Sequence, residues 1–180
     1  MTNRLLNIDT LRSYEVEPAY FGLGFIQLKI KRNARVHFYH TELPVLTEEP
    51  HNHRYYFISY ILQGRFQQEL YAFKSSLDGT HLMTAEDCKP GTNTLGSSTI
   101  GDLTNIFSAE YQAGDYYEIS ADTLHTVRGY DNAITYLVRH EPIKQYASVV
   151  RAIGAEKVCP FSQPISTNRC WDLIEDMLPQ

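Results

Sequence analysis

Apolar and polar residues alternate in short runs from Phe25 onward. In Phe25–Lys31, Ile26, Leu28 and Ile30 share one face, the two-residue period of a strand buried on one side. Residues 35–40 repeat the pattern with Val36 and Phe38, and Asn33-Ala34 reads as the turn between the two runs. Residues 51–62 are rich in Tyr, Phe and Ile and read as a strand. Gly64 marks a turn and residues 66–73 run back, so a hairpin is predicted. Residues 106–111, Tyr116–Ile119, 123–128 and 133–139 give four more strands, punctuated by Gly114-Asp115, Ala121-Asp122 and Asp131-Asn132.

The remaining stretches break this rhythm. Residues 42–50 hold two prolines and three acids and read as a loop. Residues 74–105 are poor in apolar periodicity and rich in Ser, Thr, Gly and Asp. They predict a long loop, or a loop with a small hairpin of its own, of the kind that serves as a lid or binding segment. Residues 2–14 have the spacing of a short helix (Leu5, Leu6, Ile8, Leu11). After Pro142 the pattern turns helical or irregular. Residues 159–166 read as a surface crossing, and Asn168 as the N-cap of a helix over 169–178 with Trp171, Ile174 and Leu178 on one face. Eight or more short strands with frequent turns predict an all-β sandwich or barrel, with the terminal helices outside it.

Composition narrows the function classes. At 180 residues the chain is expected to be a single domain, 1–180. Its net charge of −5 argues against non-specific binding to nucleic acid or to an anionic membrane surface. No run approaches the ~20 apolar residues of a membrane-spanning helix, and Asn7, Asp9 and Arg12 interrupt any signal-peptide core. Cys88, Cys159 and Cys170 are odd in number and lack CxxC spacing, so neither a disulfide framework nor a zinc ribbon is implied. A cytoplasmic protein with reduced thiols is expected. No GxGxxG, P-loop or GxSxG occurs, which leaves nucleotide-dependent and serine-hydrolase chemistry without support.

The histidines carry the candidate chemistry. In Pro50-His51-Asn52-His53 the two imidazoles stand two residues apart and project to one face of a strand, a spacing that suits two ligands of one metal ion. A third ligand must come from a distant strand, and His125, just after the Ala121-Asp122 turn, is the best placed. Phe57 has the parity of His51 and His53 and is expected in the same cavity, shaping and drying it with Ile61 and Val127. Arg54 has the opposite parity. His37 and His40 lie on opposite faces of one strand, so both cannot reach the cavity. They and His81 read as ordinary structural or surface histidines. Glu69 reads as solvent-facing rather than as a base at the cavity mouth. Arg54, Arg65, Arg128 and Arg139 are the candidates for binding an anionic substrate group, with Arg65 in the turn.

This arrangement resembles the cupin superfamily. Of the first cupin motif, His51, His53 and Gly64 match, while Phe57 stands at the glutamate position and Val45 at the leading glycine. Of the second, Gly114 and His125 match at the right separation, with Ser120 and Asp122 in place of a proline and a glycine. A set of three neutral histidines with no carboxylate is most similar to the thiol dioxygenases. Ile61-Leu62-Gln63-Gly64, Glu69-Leu70-Tyr71 and Leu124-His125-Thr126-Val127 resemble that family's motif regions. Its Ser-x-His-x-Tyr stretch falls on Val138, His140 and Pro142, where only His140 matches. Its substrate-gripping arginine falls on Gln27 or Lys29.

The resemblance implies a cupin-type double-stranded β-helix, a jelly-roll barrel with short peripheral helices. The barrel core spans about 22–142 and a C-terminal extension with a helix spans 143–180. It implies Fe(II) on His51, His53 and His125, His140 hydrogen-bonding near the metal, and oxidation of a small substrate, a thiol, by O2. It further implies a homodimer, while the charge and hydropathy above leave no nucleic-acid or membrane partner expected. Imidazole also accepts Ni, Mn, Cu and Zn. The alternatives are therefore a metal-dependent isomerase or lyase, or a barrel that binds a small molecule without catalysis.

Overall fold

Among the described residues of the computed structural model (6–44, 48–86, 95–156 and 165–179), nine strands form one antiparallel sheet. They are β1 (Ala19–Phe21), β2 (Phe25–Lys31), β3 (Ala34–Tyr39), β4 (Phe57–Ser75), β5 (His81–Glu86), β6 (Leu95–Gln112), β7 (Tyr116–Ile119), β8 (Leu124–Arg139) and β9 (Ala147–Ala152). The order is β1-β2-β3-β8-β4-β6-β5-β9, with β7 paired to the start of β4. Among the described residues two short helices, α1 (Ile8–Arg12) and α2 (Thr167–Met177), stand towards the two ends of the chain. The sheet curls into an antiparallel half-barrel, the expected all-β class. Cys88, Cys159 and Val45 lie outside the described residues.

Strand alternation builds two separate cores. Ile26, Leu28 and Ile30 of β2, Val36 and Phe38 of β3, and Ile134 of β8 point out of the half-barrel. They meet Leu11 of α1 and Cys170, Leu173, Ile174 and Met177 of α2. Each such aliphatic side chain contributes roughly 1.5–3 kcal/mol by leaving water, which is what fastens the terminal helices to the sheet. The alternate residues, among them Phe25, Tyr39, Ala133 and Leu137, face inward and join Phe57, Ile61, Phe66, Tyr117 and Ile119. The register Ile26↔Phe38 and His37↔Thr135 keeps these two faces separate across three strands. Helix α2 begins two residues earlier than its sequence suggests. Ser166, rather than Asn168, is the N-cap, its Oγ accepting from the Arg169 N–H at 3.2 Å.

The hairpin expected at Gly64 does not form. β4 runs unbroken for 19 residues through Gly64, and β8 likewise runs unbroken through Asp131-Asn132. These punctuating residues make a matched bend instead. Gly64 has φ +73°, Asp131 and Asn132 have φ +54° and +53°, and the β4–β8 register shifts between Ile61 and Arg65. A Cβ on Gly64 would stand 2.7 Å from the Ala133 Cα and the Tyr130 carbonyl oxygen. Glycine is therefore required both by its φ and by the close approach of the neighbouring strand.

Two other segments add strands to the sheet. Within 74–105 the chain carries β5 and the beginning of β6, paired as the small hairpin that is one of the two expectations for this stretch. Beyond Pro142, where the pattern reads as helical or irregular, β9 pairs with β5 from Ala147 to Ala152. Its side chains Val149 and Val150 are buried.

Candidate metal centre

Residues 50–52 are wedged between β8 and β9. The His51 N–H donates to the His125 carbonyl at 3.1 Å and the His125 N–H returns to the His51 carbonyl at 2.9 Å. On the other side, the Asn52 N–H donates to the Ser148 carbonyl (2.9 Å), the Val150 N–H to the Pro50 carbonyl (2.8 Å) and the Ser148 N–H to Asn52 Oδ1 (2.7 Å). His51 is thus held in isolated bridges rather than in the regular strand expected from residue 51, since β4 starts only at Phe57. His53 follows in irregular chain. Its ring is packed on Tyr55 at 5.5 Å and on the edge of Phe57 at 5.0 Å between centroids.

The three expected histidines come together. One ligand-capable nitrogen from each of His51, His53 and His125 lies within 4.8 Å of the others, and the ring centroids are 5.0, 4.9 and 5.1 Å apart. Nε2 of His53 is 2.9 Å from Nε2 of His125. Two nitrogens each ~2.1 Å from one ion and at right angles about it would be about 3 Å apart, so this pair already has the spacing of adjacent ligands. His51 Nδ1 lies 3.0 Å from the Glu49 carbonyl. A carbonyl only accepts, so Nδ1 carries the hydrogen and Nε2 keeps the lone pair. A donor set of three neutral imidazoles fits a first-row divalent ion.

Electrostatics favour the ligand form. Burial lowers the pKa of all three, that of His53 and His125 to well below the usual histidine value. Mutual repulsion adds to this at His53, as does the Arg35 guanidinium further out. For His51 the Glu49 carbonyl and carboxylate work in the opposite direction and limit the drop. Close by, Glu48 Oε1 is 3.8 Å from His51 Nδ1, and Glu48 accepts the Val127 N–H. Burial pushes this carboxyl up to about 8, against the Val127 N–H and Arg128, which favour its charged form.

The inner face beside the histidines carries Gln27 and Lys29, where the resemblance put the substrate-gripping arginine, together with His37 and Arg35, which the sequence did not single out for the site. Gln27 and His37, partners in the β2–β3 register, are both buried, with Nε2 atoms 3.1 Å apart. Arg35 has the parity of His37 and Tyr39. Its guanidinium and that of Arg139 stand 5.7 and 5.1 Å from the centroid of the Tyr55 ring. Lys29 lies close enough that both arginines, together with burial, lower its pKa. Among the described residues no carboxylate pairs with Arg35, Arg139 or Lys29. The signal for Arg35 was present in the sequence: it shares a strand face with His37, two residues on.

Other expected residues fall as follows. Phe57 is buried against His53 and 5.8 Å from the His125 ring. Ile61 and Val127 pack in the same inner core. His140 is exposed, and its ring packs on Tyr56, whose hydroxyl donates to Glu118. This placement does not bring His140 to the three histidines. His40 is buried beyond the end of β3. Its Nδ1 accepts the Glu42 N–H, so Nε2–H donates to Asp176 of α2 at 3.0 Å. His81 meets the Thr80 hydroxyl, and Arg65 is exposed and paired with Asp131. Glu69 is only half exposed. It accepts from Tyr71 at 2.7 Å and lines a cavity of about 330 Å³ with Glu48, Tyr71 and Thr126.

Fold and site together define an antiparallel β half-barrel with a three-histidine cluster that could hold a metal ion. No protein-family model matches the chain, and no curated protein matches it. Among solved structures, E. coli ycfD aligns over 80% of this chain at 14% identity with a TM-score of 0.39. The chain spans 38% of the length of that protein. No helix among the described residues is long and apolar enough to cross a membrane.

Proposed function

We propose that the chain is a mononuclear non-haem iron dioxygenase of the cupin fold, with Fe(II) on His51, His53 and His125, that oxidises a small anionic thiol with O2. The observation that carries the reading is the convergence of three imidazoles, His125 buried and His51 and His53 half-buried, all with lowered pKa, within 4.8 Å of one another. Bound there, the ion supplies a redox centre with vacant positions for substrate and O2. Because the three ligands are neutral, the site keeps the full +2 charge and favours an anionic co-ligand such as a thiolate.

The protein's own residues do the rest. Phe57, Ile61 and Val127 exclude water from one side of the site, which strengthens every electrostatic interaction there. Arg35, close enough to His53 to help lower its pKa, supplies positive charge beside the site, with Arg139 and Lys29 near Arg35, and fits a carboxylate on the same substrate. Arg35 thereby takes the role for which the sequence offered Gln27 or Lys29. An oxygen-electrode screen of the iron-loaded protein against small thiols, with and without a carboxylate, tests the reading. Uptake with an acidic thiol supports it, and turnover only of a non-thiol substrate under anaerobic conditions contradicts it.

The same neutral donor set supports a second reading, since it also accepts Ni, Mn, Cu or Zn. A metal-dependent isomerase or lyase would use the ion as a Lewis acid and need no O2.

A further inference from the structure

His51 is backed by a buried ion cluster that the chemistry above does not use. Arg151 of β9 grips the Glu49 carboxylate with two parallel hydrogen bonds, Nε to Oε1 and Nη2 to Oε2, both 2.9 Å. Its remaining Nη1 donates to Glu86 Oε1 at the end of β5, at 2.7 Å. All three side chains are largely buried, at 11%, 17% and 6% exposure for Arg151, Glu49 and Glu86. Such a cluster is costly to desolvate and is weak evidence of stability for its own sake. Its place in the fold gives it a second use. Glu49 lies two residues before His51, and the carbonyl of that same residue takes the Nδ1–H of His51 at 3.0 Å. Glu48 Oε1, at 3.8 Å, is too far to take that hydrogen.

We propose that Arg151 and Glu49 are positioning residues for the metal centre. Arg151 holds Glu49 by its carboxylate, and this fixes the Glu49 carbonyl against Nδ1 of His51. The carbonyl keeps that imidazole as the Nδ1–H tautomer, with the Nε2 lone pair on the ligand side. A hydrogen bond to the far nitrogen of a ligand histidine sets both ring orientation and tautomer. The ion pair sets that hydrogen bond in turn, one step further from the metal. The role rests on the three-histidine reading. It also gives β9 a function at the site, because residues 148 and 150 pin the backbone on both sides of His51.

Two readouts test this together: the His51 tautomer from ring-nitrogen NMR of the metal-free protein, and Co(II) affinity from a titration followed by its visible spectrum. The wild type is expected to show His51 as the Nδ1–H form. Arg151→Ala is expected to give mixed tautomers and at least about tenfold weaker Co(II) binding. Arg151→Lys, which keeps the charge but not the two-pronged grip, falls between them. Glu49→Gln serves if Arg151→Ala does not fold. Leu173→Ala, in the core under α2, is the control for lost stability and is expected to leave both readouts unchanged. The inference is overturned if Arg151→Lys and Glu49→Gln keep the wild-type tautomer and affinity, or if Leu173→Ala loses as much. A wild type that keeps the Nδ1–H tautomer yet takes up no Co(II) overturns the three-histidine reading itself, and the positioning role with it.

Discussion

Nε2 of His53 and Nε2 of His125 stand 2.9 Å apart although 72 residues separate them in the chain. In the metal-free protein one of these nitrogens must carry a proton for the contact to be favourable, and the other must accept. A divalent ion replaces that shared proton with two ligand bonds. Divalent metal is therefore expected to stabilise the fold by about 2.7 kcal/mol at a hundredfold excess over Kd. The gain reads as a rise in the thermal unfolding midpoint with Co(II), absent in His125→Phe.

His37 sets a pH dependence. Burial, and secondly the nearby Arg35, lower its pKa to about 3, while the unfolded chain keeps the ordinary value of 6.5. Between these values the unfolded state binds a proton that the folded state refuses. Stability is therefore lost as pH falls below 6.5, by up to about 1.4 kcal/mol per pH unit for this residue. The three ligand histidines, shifted the same way, add to the slope. Denaturant midpoints measured from pH 7 to 4.5 are expected to fall steeply in the wild type and less steeply in His37→Gln.

Gly64→Ala tests the bend. The new methyl meets backbone of β8 at 2.7 Å, and φ +73° is unfavourable for any L side chain. A loss of about 1–3 kcal/mol is expected in denaturant unfolding. A neutral substitution would show that the β4–β8 bend is slack.

Arg35→Gln tests the anion contact. Removing one charge-assisted hydrogen bond costs roughly 1.5–3 kcal/mol, so KM for a carboxylate-bearing thiol is expected to rise about tenfold or more. An uncharged thiol is expected to be affected little. Equal effects on both substrates would remove Arg35 from substrate binding.

Much of this molecule could be read from its sequence because strand alternation is local. Ile26, Leu28, Ile30, Val36 and Phe38 declared their face by period alone, and all are buried where that period puts them. The histidine cluster was legible for a different reason: His51 and His53 stand two residues apart, and Gly114 and His125 have the separation of the motif they resemble, although Ser120 and Asp122 replace its proline and glycine. Its local geometry was not, because bridges to β8 and β9, rather than a regular strand, hold His51. Gly64 and Asp131-Asn132 looked like turns because glycine and left-handed Asn or Asp serve turns and bulges alike. Only the pairing partner distinguishes the two. Arg35, Arg151 and Glu49 escaped notice since their importance lies in what they meet across the sheet, and β9 is a six-residue strand inside a stretch without clear periodicity.

The central claim is that His51, His53 and His125 hold one metal ion. Elemental analysis of protein purified without chelators, wild type beside His53→Ala, tests it most directly. Close to one equivalent of a first-row metal in the wild type and none in the variant is the expected result. Equal metal content in the two proteins would contradict it.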